Sequence, residues 1–150
     1  MLSTRIITAV VLIAIVLAAL FLLPPRPFGV AVLIVMLLAA HEWATLIGLR
    51  DQAWLLFLAV ILFAGLYLLF ASTPGFERGW PQAVVFAVCG VSALFWLIVA
   101  PAWVVQRWTV HSRTLMALVG AVVLIAAFVA LVELQTRSPW LVLSAMAIVW

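Results

Sequence analysis

The chain alternates between long apolar runs and short polar or proline-containing segments. Five runs approach the roughly 20 apolar residues that a helix needs to cross about 30 Å of hydrocarbon. They cover residues 6–23, 29–47, 54–70, 82–100 and 115–132. Because lipid offers the backbone no hydrogen-bond partner, such runs predict transmembrane α-helices. The predicted fold class is therefore all-α, a polytopic transmembrane helix bundle.

The segments between the runs contain residues that end helices. Pro24, Pro25 and Pro27 predict a turn after the first run, and residues 72–81 contain both proline and glycine. Residues 101–114 mix tryptophan with arginine, glutamine and histidine, which predicts an interfacial connector in the headgroup zone. Residues 139–150 would reach only about 18 Å as a helix. We therefore expect an incomplete sixth span and a truncated chain.

Composition supports the membrane class and excludes others. Apolar residues make up 71% of the chain and charged residues 7%, and the mean hydropathy is +1.47. All seven basic residues are arginines that lie singly between runs, so they do not form the clusters that nucleic acid binding requires. Cys89 is the single cysteine, which excludes an intrachain disulfide or a thiolate metal cluster.

Groups that could support catalysis are few and scattered. The acidic residues are Glu42, Asp51, Glu77 and Glu133. His41-Glu42 is similar to the start of a zinc-protease motif, but Thr45 occupies the position of the second histidine. The sequence has no paired carboxylates for metal-assisted phosphoryl chemistry and no P-loop. The residues themselves therefore predict no catalytic, cofactor-binding or metal-ligating position.

Glu42 is the polar candidate, because an ionisable group within an apolar run is a functional hypothesis by default. It lies near the end of its run beside Trp43. We favour the interpretation that Glu42 reaches the membrane interface, next to a tryptophan of an interfacial aromatic belt. The alternative is a role in a polar cavity. Glu133 and Arg137 are four residues apart and predict an i,i+4 ion pair at the membrane surface.

Two further patterns concern packing and anchoring. The tryptophans mostly mark the ends of runs, which is typical of an aromatic belt at the interface; they are Trp43, Trp54, Trp80, Trp96, Trp103, Trp108, Trp140 and Trp150. Small residues recur on one face of the fourth run, and such a face predicts close packing against another helix. These small residues are Ala83, Ala87, Gly90 and Ala93.

Several stretches, in order along the chain, resemble the amino-terminal half of the phosphatidate cytidylyltransferases, or CDP-diacylglycerol synthases. The first is STRIITA at residues 3–9, which leads into a helix that ends in LLPP at 22–25. The second is AAHEWATLIGL at residues 39–49, in which an acid-tryptophan pair precedes a glycine. The third comprises LVEL at residues 131–134 and SPW at 138–140, and it continues to residue 150.

The resemblance implies an enzyme of phospholipid biosynthesis that condenses CTP with phosphatidate, giving CDP-diacylglycerol and pyrophosphate in a Mg²⁺-dependent reaction. Its implied partners are membrane lipid, phosphatidate and CTP. The family's catalytic motifs, which contain aspartates and a lysine, belong to its carboxyl-terminal half and do not occur here. We therefore expect the Mg²⁺ site to lie outside this chain and the chain alone to be inactive. The alternatives are a fragment of a polytopic transporter and a small membrane scaffold protein.

The expected location is the cell (inner) membrane, with several crossings and a cytoplasmic amino terminus. Five crossings place Arg5, Arg50, Arg107 and Arg113 on one side, and Arg26, Arg78 and Arg137 on the other. The positive-inside rule favours the first group as cytoplasmic by one arginine. The resemblance agrees, since it places the CTP-handling motifs, which need cytoplasmic CTP, just beyond Trp150. Self-association into a homo-oligomer is a further partner hypothesis.

Overall fold

The computed structural model describes residues 2–71, 79–107 and 112–149, and within these residues all regular structure is helical. The prediction of an all-α protein is confirmed for this part of the chain. The α-helices, in order, are α1 Leu2–Leu22, α2 Pro25–Leu46, α3 Asp51–Leu66, α4 Gln82–Leu94, α5 Ala100–Gln106, α6 Arg113–Arg137 and α7 Pro139–Val149. Two π-helical turns, Tyr67–Ala71 and Phe95–Val99, extend α3 and join α4 to α5.

Several of these helices have the length and apolar composition of membrane spans. Four described segments qualify, namely Pro25–Leu46, Asp51–Phe70, Gln82–Gln106 and Arg113–Arg137. The apolar segments Ile6–Leu22 and Pro139–Ile148 are shorter. The structure is compatible with a membrane protein, and the count of five complete spans stays a prediction.

The proline break after the first run is confirmed. α1 ends at Leu22 and α2 begins at Pro25, four residues earlier than the sequence indicated. Proline is tolerated in the first turn of a helix because the N–H that it lacks has no intrahelical partner there. Residues 79–81 are likewise not helical, whereas residues 72–78 of the second predicted turn lie outside the described residues.

The helix that contains the fourth predicted span does not end at residue 100, because it continues through Pro101 to Gln106. The π turn before Pro101 explains this continuation. Its wider bonding, in which the Ala100 N–H donates to the Phe95 carbonyl, lets a helix accommodate a proline. Arg107 then ends the helix in the left-handed conformation, with φ +49°. Residues 108–111 of the predicted connector lie outside the described residues.

α6 is the centre of the bundle, and it packs against α2, α3, α4 and α7. Its residues Phe128, Val129 and Val132 are fully buried. Glycines allow the closest approaches between helices. A Cβ on Gly65 of α3 would lie 3.2 Å from Leu33 Cδ2 of α2, and Gly120 of α6 faces the indole of Trp43.

The predicted small-residue packing face of α4 is wrong. Ala83, Ala87 and Ala93 are exposed, and a Cβ added to Gly90 would meet no atom within 4 Å. α4 instead packs through larger side chains, among them Val84 and Val88. A small-residue face permits close approach only where a neighbour lies against it, and the neighbour α6 lies against the valines.

The two glycines Gly120 and Gly90 give a matched test of this packing. A Cβ on Gly120 would lie 2.6 Å from Cδ1 and 2.8 Å from Cε2 of Trp43. Because the indole is rigid and half-buried, we expect Gly120→Ala to lower the free energy of unfolding by about 1–3 kcal/mol. Gly90→Ala should instead be neutral or stabilising by up to about 1 kcal/mol, since alanine favours the helix and space is open.

Reversible unfolding of the purified protein in detergent, followed by circular dichroism, measures both variants. Equal effects of the two alanines would contradict the assignment of Gly120 to a tight interface.

Candidate functional site

A buried polar cluster lies at the end of α6. Among the described residues, Glu133 and Gln135 are the buried residues with polar side chains. Glu133 Oε2 accepts a hydrogen bond from the backbone N–H of Trp80 at 3.3 Å, and Oε1 accepts one from Arg137 Nε at 3.0 Å. Arg137 Nη2 also lies 2.9 Å from Oε1, which confirms the predicted i,i+4 ion pair. The sequence did not indicate that the pair also holds the backbone before α4.

Gly79 allows this backbone to approach the carboxylate. Its φ of +82° is a conformation that residues with a side chain rarely adopt. A Cβ at this position would lie 2.7 Å from Glu133 Oε2. A glycine is therefore required here both for the backbone conformation and for the close contact.

Trp80 lies inside the protein and not in an interfacial belt, which corrects the interpretation of this tryptophan. It is 4% exposed, and its ring centroid lies 6.0 Å from that of Phe128. Its Nε1 donates to the Leu68 carbonyl at 2.9 Å, within the π turn Tyr67–Ala71. Since Trp80 is bonded through both its backbone and its side chain, it links α3 to α6.

Gln135 connects the same cluster to the break between α1 and α2. Its Nε2 donates to the Leu23 carbonyl at 3.1 Å. That carbonyl cannot be satisfied by the residue four positions later, because Pro27 has no N–H. Gln135 Oε1 is buried and has no hydrogen-bond partner within the described part of the chain. The end of α6 thus forms hydrogen bonds to the backbone at two interruptions between helices.

The role open to this cluster is to hold neighbouring backbone segments in position. The Glu133 carboxylate is neutralised by Arg137 and already accepts hydrogen bonds on both oxygens. In the ranges 2–71, 79–107 and 112–149, no three His, Cys, Asp or Glu residues come together as a metal site. The described residues therefore do not fit the Mg²⁺ that the resemblance implies, and no metal-assisted step is assigned to them.

Glu42, the acid singled out from the sequence, lies at the opposite end of the bundle. Its side chain is exposed, whereas Trp43 beside it points inward and donates from Nε1 to the Met116 carbonyl at 3.0 Å. Met116 and Glu133 are 17 positions apart on α6, which corresponds to about 25 Å. The two acids therefore do not form a common site. Both interpretations of Glu42, as an acid at the membrane interface or in a polar cavity, stay predictions.

An apolar groove runs along the first half of α6, and we call it the α6 trough. α3 forms one wall and α4 the other, and these two helices have almost no contact with each other. The α3 side is a hollow of about 290 Å³, and the α4 side comprises two hollows of about 310 and 340 Å³. Leu118 lines all three hollows and so separates the two sides.

Comparison with known proteins identifies the family. A family model described as the cytidylyltransferase family matches residues 3–150. Because this match covers nearly the whole chain, the chain belongs to the cytidylyltransferase family. Membership confirms the resemblance, indicates a nucleotidyltransferase, and does not favour the transporter or scaffold alternatives. No solved structure matches the chain.

Glu133 and Glu42 provide a paired test of the buried cluster. We expect Glu133→Ala to lower the free energy of unfolding by about 1–3 kcal/mol, because it leaves the buried Trp80 N–H unsatisfied. Glu42→Ala removes an exposed acid, and its effect should stay within about 0.5 kcal/mol. Amide hydrogen exchange should also accelerate at Trp80 in the first variant only. Unchanged protection of the Trp80 amide in Glu133→Ala would show that the carboxylate does not hold this backbone.

Proposed function

We propose that this chain forms the membrane portion of a phosphatidate cytidylyltransferase, the enzyme that condenses CTP with phosphatidate to give CDP-diacylglycerol and pyrophosphate. The observation that carries the proposal is the family match over residues 3–150. The stretches at residues 3–9, 22–25, 39–49 and 131–150, taken together in their order along the chain, resemble the members of this family that act on phosphatidate. A product with two acyl chains suits an enzyme that is built largely of apolar helices.

The role that we assign to these residues is to hold the enzyme in the bilayer. α1 has 21 residues and extends about 31 Å, so we infer that it adds a fifth complete crossing to the four longer segments. α7 has 11 residues and extends about 16 Å, which is half of that distance. It lies in the segment that the sequence predicts as a sixth span. Its packing against α6 would carry the chain back towards the face where α1 begins.

The reacting groups are expected elsewhere in the enzyme. Attack of a phosphatidate oxygen on the α-phosphorus of CTP develops charge that metal-bound carboxylates and cationic donors must neutralise. This sequence contains four acids, of which the nearest two, Glu42 and Asp51, are nine positions apart, and no lysine. We propose that Mg²⁺ and CTP are bound by a carboxyl-terminal half.

The chain alone should therefore fail to turn over substrate. Purified protein in detergent, supplied with radiolabelled CTP, phosphatidate and Mg²⁺, is expected to release no labelled CDP-diacylglycerol above the protein-free background. A complete enzyme of the family in the same detergent is the positive control. Restoration of activity when a carboxyl-terminal half is co-expressed would support the proposal, whereas robust turnover by the chain alone would refute it.

We also propose that the amino terminus is cytoplasmic. The positive-inside comparison supports this orientation by one arginine, and the need for cytoplasmic CTP supports it independently. In this orientation the α2–α3 and α5–α6 connections face the cytoplasm, and residues 72–81 face outward.

Cysteine accessibility in intact cells tests the orientation. With Cys89→Ala as the background, single cysteines replace Ser72 and Ser112. An impermeant maleimide added outside should label the Ser72 position and leave Ser112 protected until the cells are opened. Labelling of the Ser112 position in intact cells, with Ser72 protected, would mean that the orientation is reversed.

A further inference from the structure

We propose that α5 is a lid, hinged at the π turn before it, that closes on an apolar hollow beside the start of α6. This inference does not rest on the reaction proposed above. It follows from the different anchoring of α4 and α5, from the break in helical bonding between them, and from the space beneath α5.

The two halves of the segment Gln82–Gln106 are held differently. α4 packs along α6, and its residues Val84 and Val88 contact the buried core. No residue of α5 packs against that core, and the backbone of α5 lies close to the π turn but hardly approaches α6. A segment with few packing contacts moves at a low cost in free energy. α4 is therefore the fixed part of this segment, and α5 is the part that can tilt.

The junction between the two halves has the features of a hinge. In the π turn Phe95–Val99, the Ala100 N–H donates to the Phe95 carbonyl. Pro101 follows, so the Leu97 carbonyl has no N–H donor four residues later. π turns and prolines are the usual sites of helix kinks. α5 is about 10 Å long, so a change of about 20° at this junction would move its far end by about 4 Å.

A hollow of about 270 Å³ lies beneath α5. Ala100 and Trp103 line it from the lid, and Trp43 and Met116 line it from the bundle. The bundle side is fixed, because the indole of Trp43 donates to the Met116 carbonyl at 3.0 Å. Side chains that border a void lose dispersion contacts. Movement of α5 towards α6 would restore these contacts, which gives the lid a closed position.

The lid stands where the hollow meets the headgroup zone. α5 is followed by the exposed Arg107, and α6 begins at Arg113, three residues before Met116 in the lining of the hollow. The open position leaves an apolar space next to this charged surface, and the closed position removes it. α5 thereby controls access to the hollow from this end of the bundle.

Distances between spin labels measure the motion in the whole chain. In the Cys89→Ala background, cysteines replace Leu46 and Val105, two exposed residues on α2 and α5. A reference pair at Leu46 and Leu118 joins α2 to α6, which pack against each other. Pulsed electron paramagnetic resonance in detergent should give a distance distribution for the Leu46–Val105 pair that is about 4 Å wider than that of the reference pair.

Two proline variants test the hinge. Pro101→Ala supplies an N–H for the Leu97 carbonyl, so we expect it to narrow the Leu46–Val105 distribution to the width of the reference pair. Pro139→Ala is the matched control, because Pro139 is the first residue of α7, where proline interrupts no helical hydrogen bond. It should leave the distribution unchanged. Circular dichroism of each variant establishes that the helices are retained.

Two results would overturn the proposal. The first is a Leu46–Val105 distribution as narrow as that of the reference pair when both prolines are present, which would show that α5 is fixed. The second is a wide distribution that Pro101→Ala leaves unchanged, because the motion would then not arise at this junction.

Discussion

Hydrocarbon supplies no hydrogen-bond partner to a peptide group, and most features of this protein follow from that constraint. An unsatisfied backbone group in lipid costs several kcal/mol, so each apolar run must form a helix. The same constraint governs the places where helices stop. Every interruption leaves carbonyls or N–H groups that another part of the chain has to satisfy.

Side chains at the end of α6 satisfy backbone groups at two of these interruptions. Gln135 donates to Leu23 at the proline break, and Glu133 accepts from the backbone N–H of Trp80 just before α4. The indole of Trp80 in turn donates to a carbonyl of the π turn that follows α3. The charge of Glu133 is compatible with burial because Arg137 neutralises it while keeping its own head more than half exposed. Polar side chains thus fasten the loops at one end of the bundle.

The opposite end of the bundle is organised differently. There Trp43 fits against Gly120 and donates to Met116, which leaves the acid beside it exposed. α3 and α4 have almost no contact with each other, and the apolar α6 trough lies between them.

The sequence by itself determined the helical class, the proline break, the Glu133–Arg137 pair and the family. Each depends on local composition, on spacing within one helix, or on the order of motifs. Only the tertiary structure decided that Trp80 is buried, that Gly120 and not Gly90 meets a neighbour, and that a helix passes through Pro101. The physical reason is that lipid is as apolar as a protein core. Hydropathy therefore identifies the segments that leave water, but only packing decides which face of a helix meets another helix.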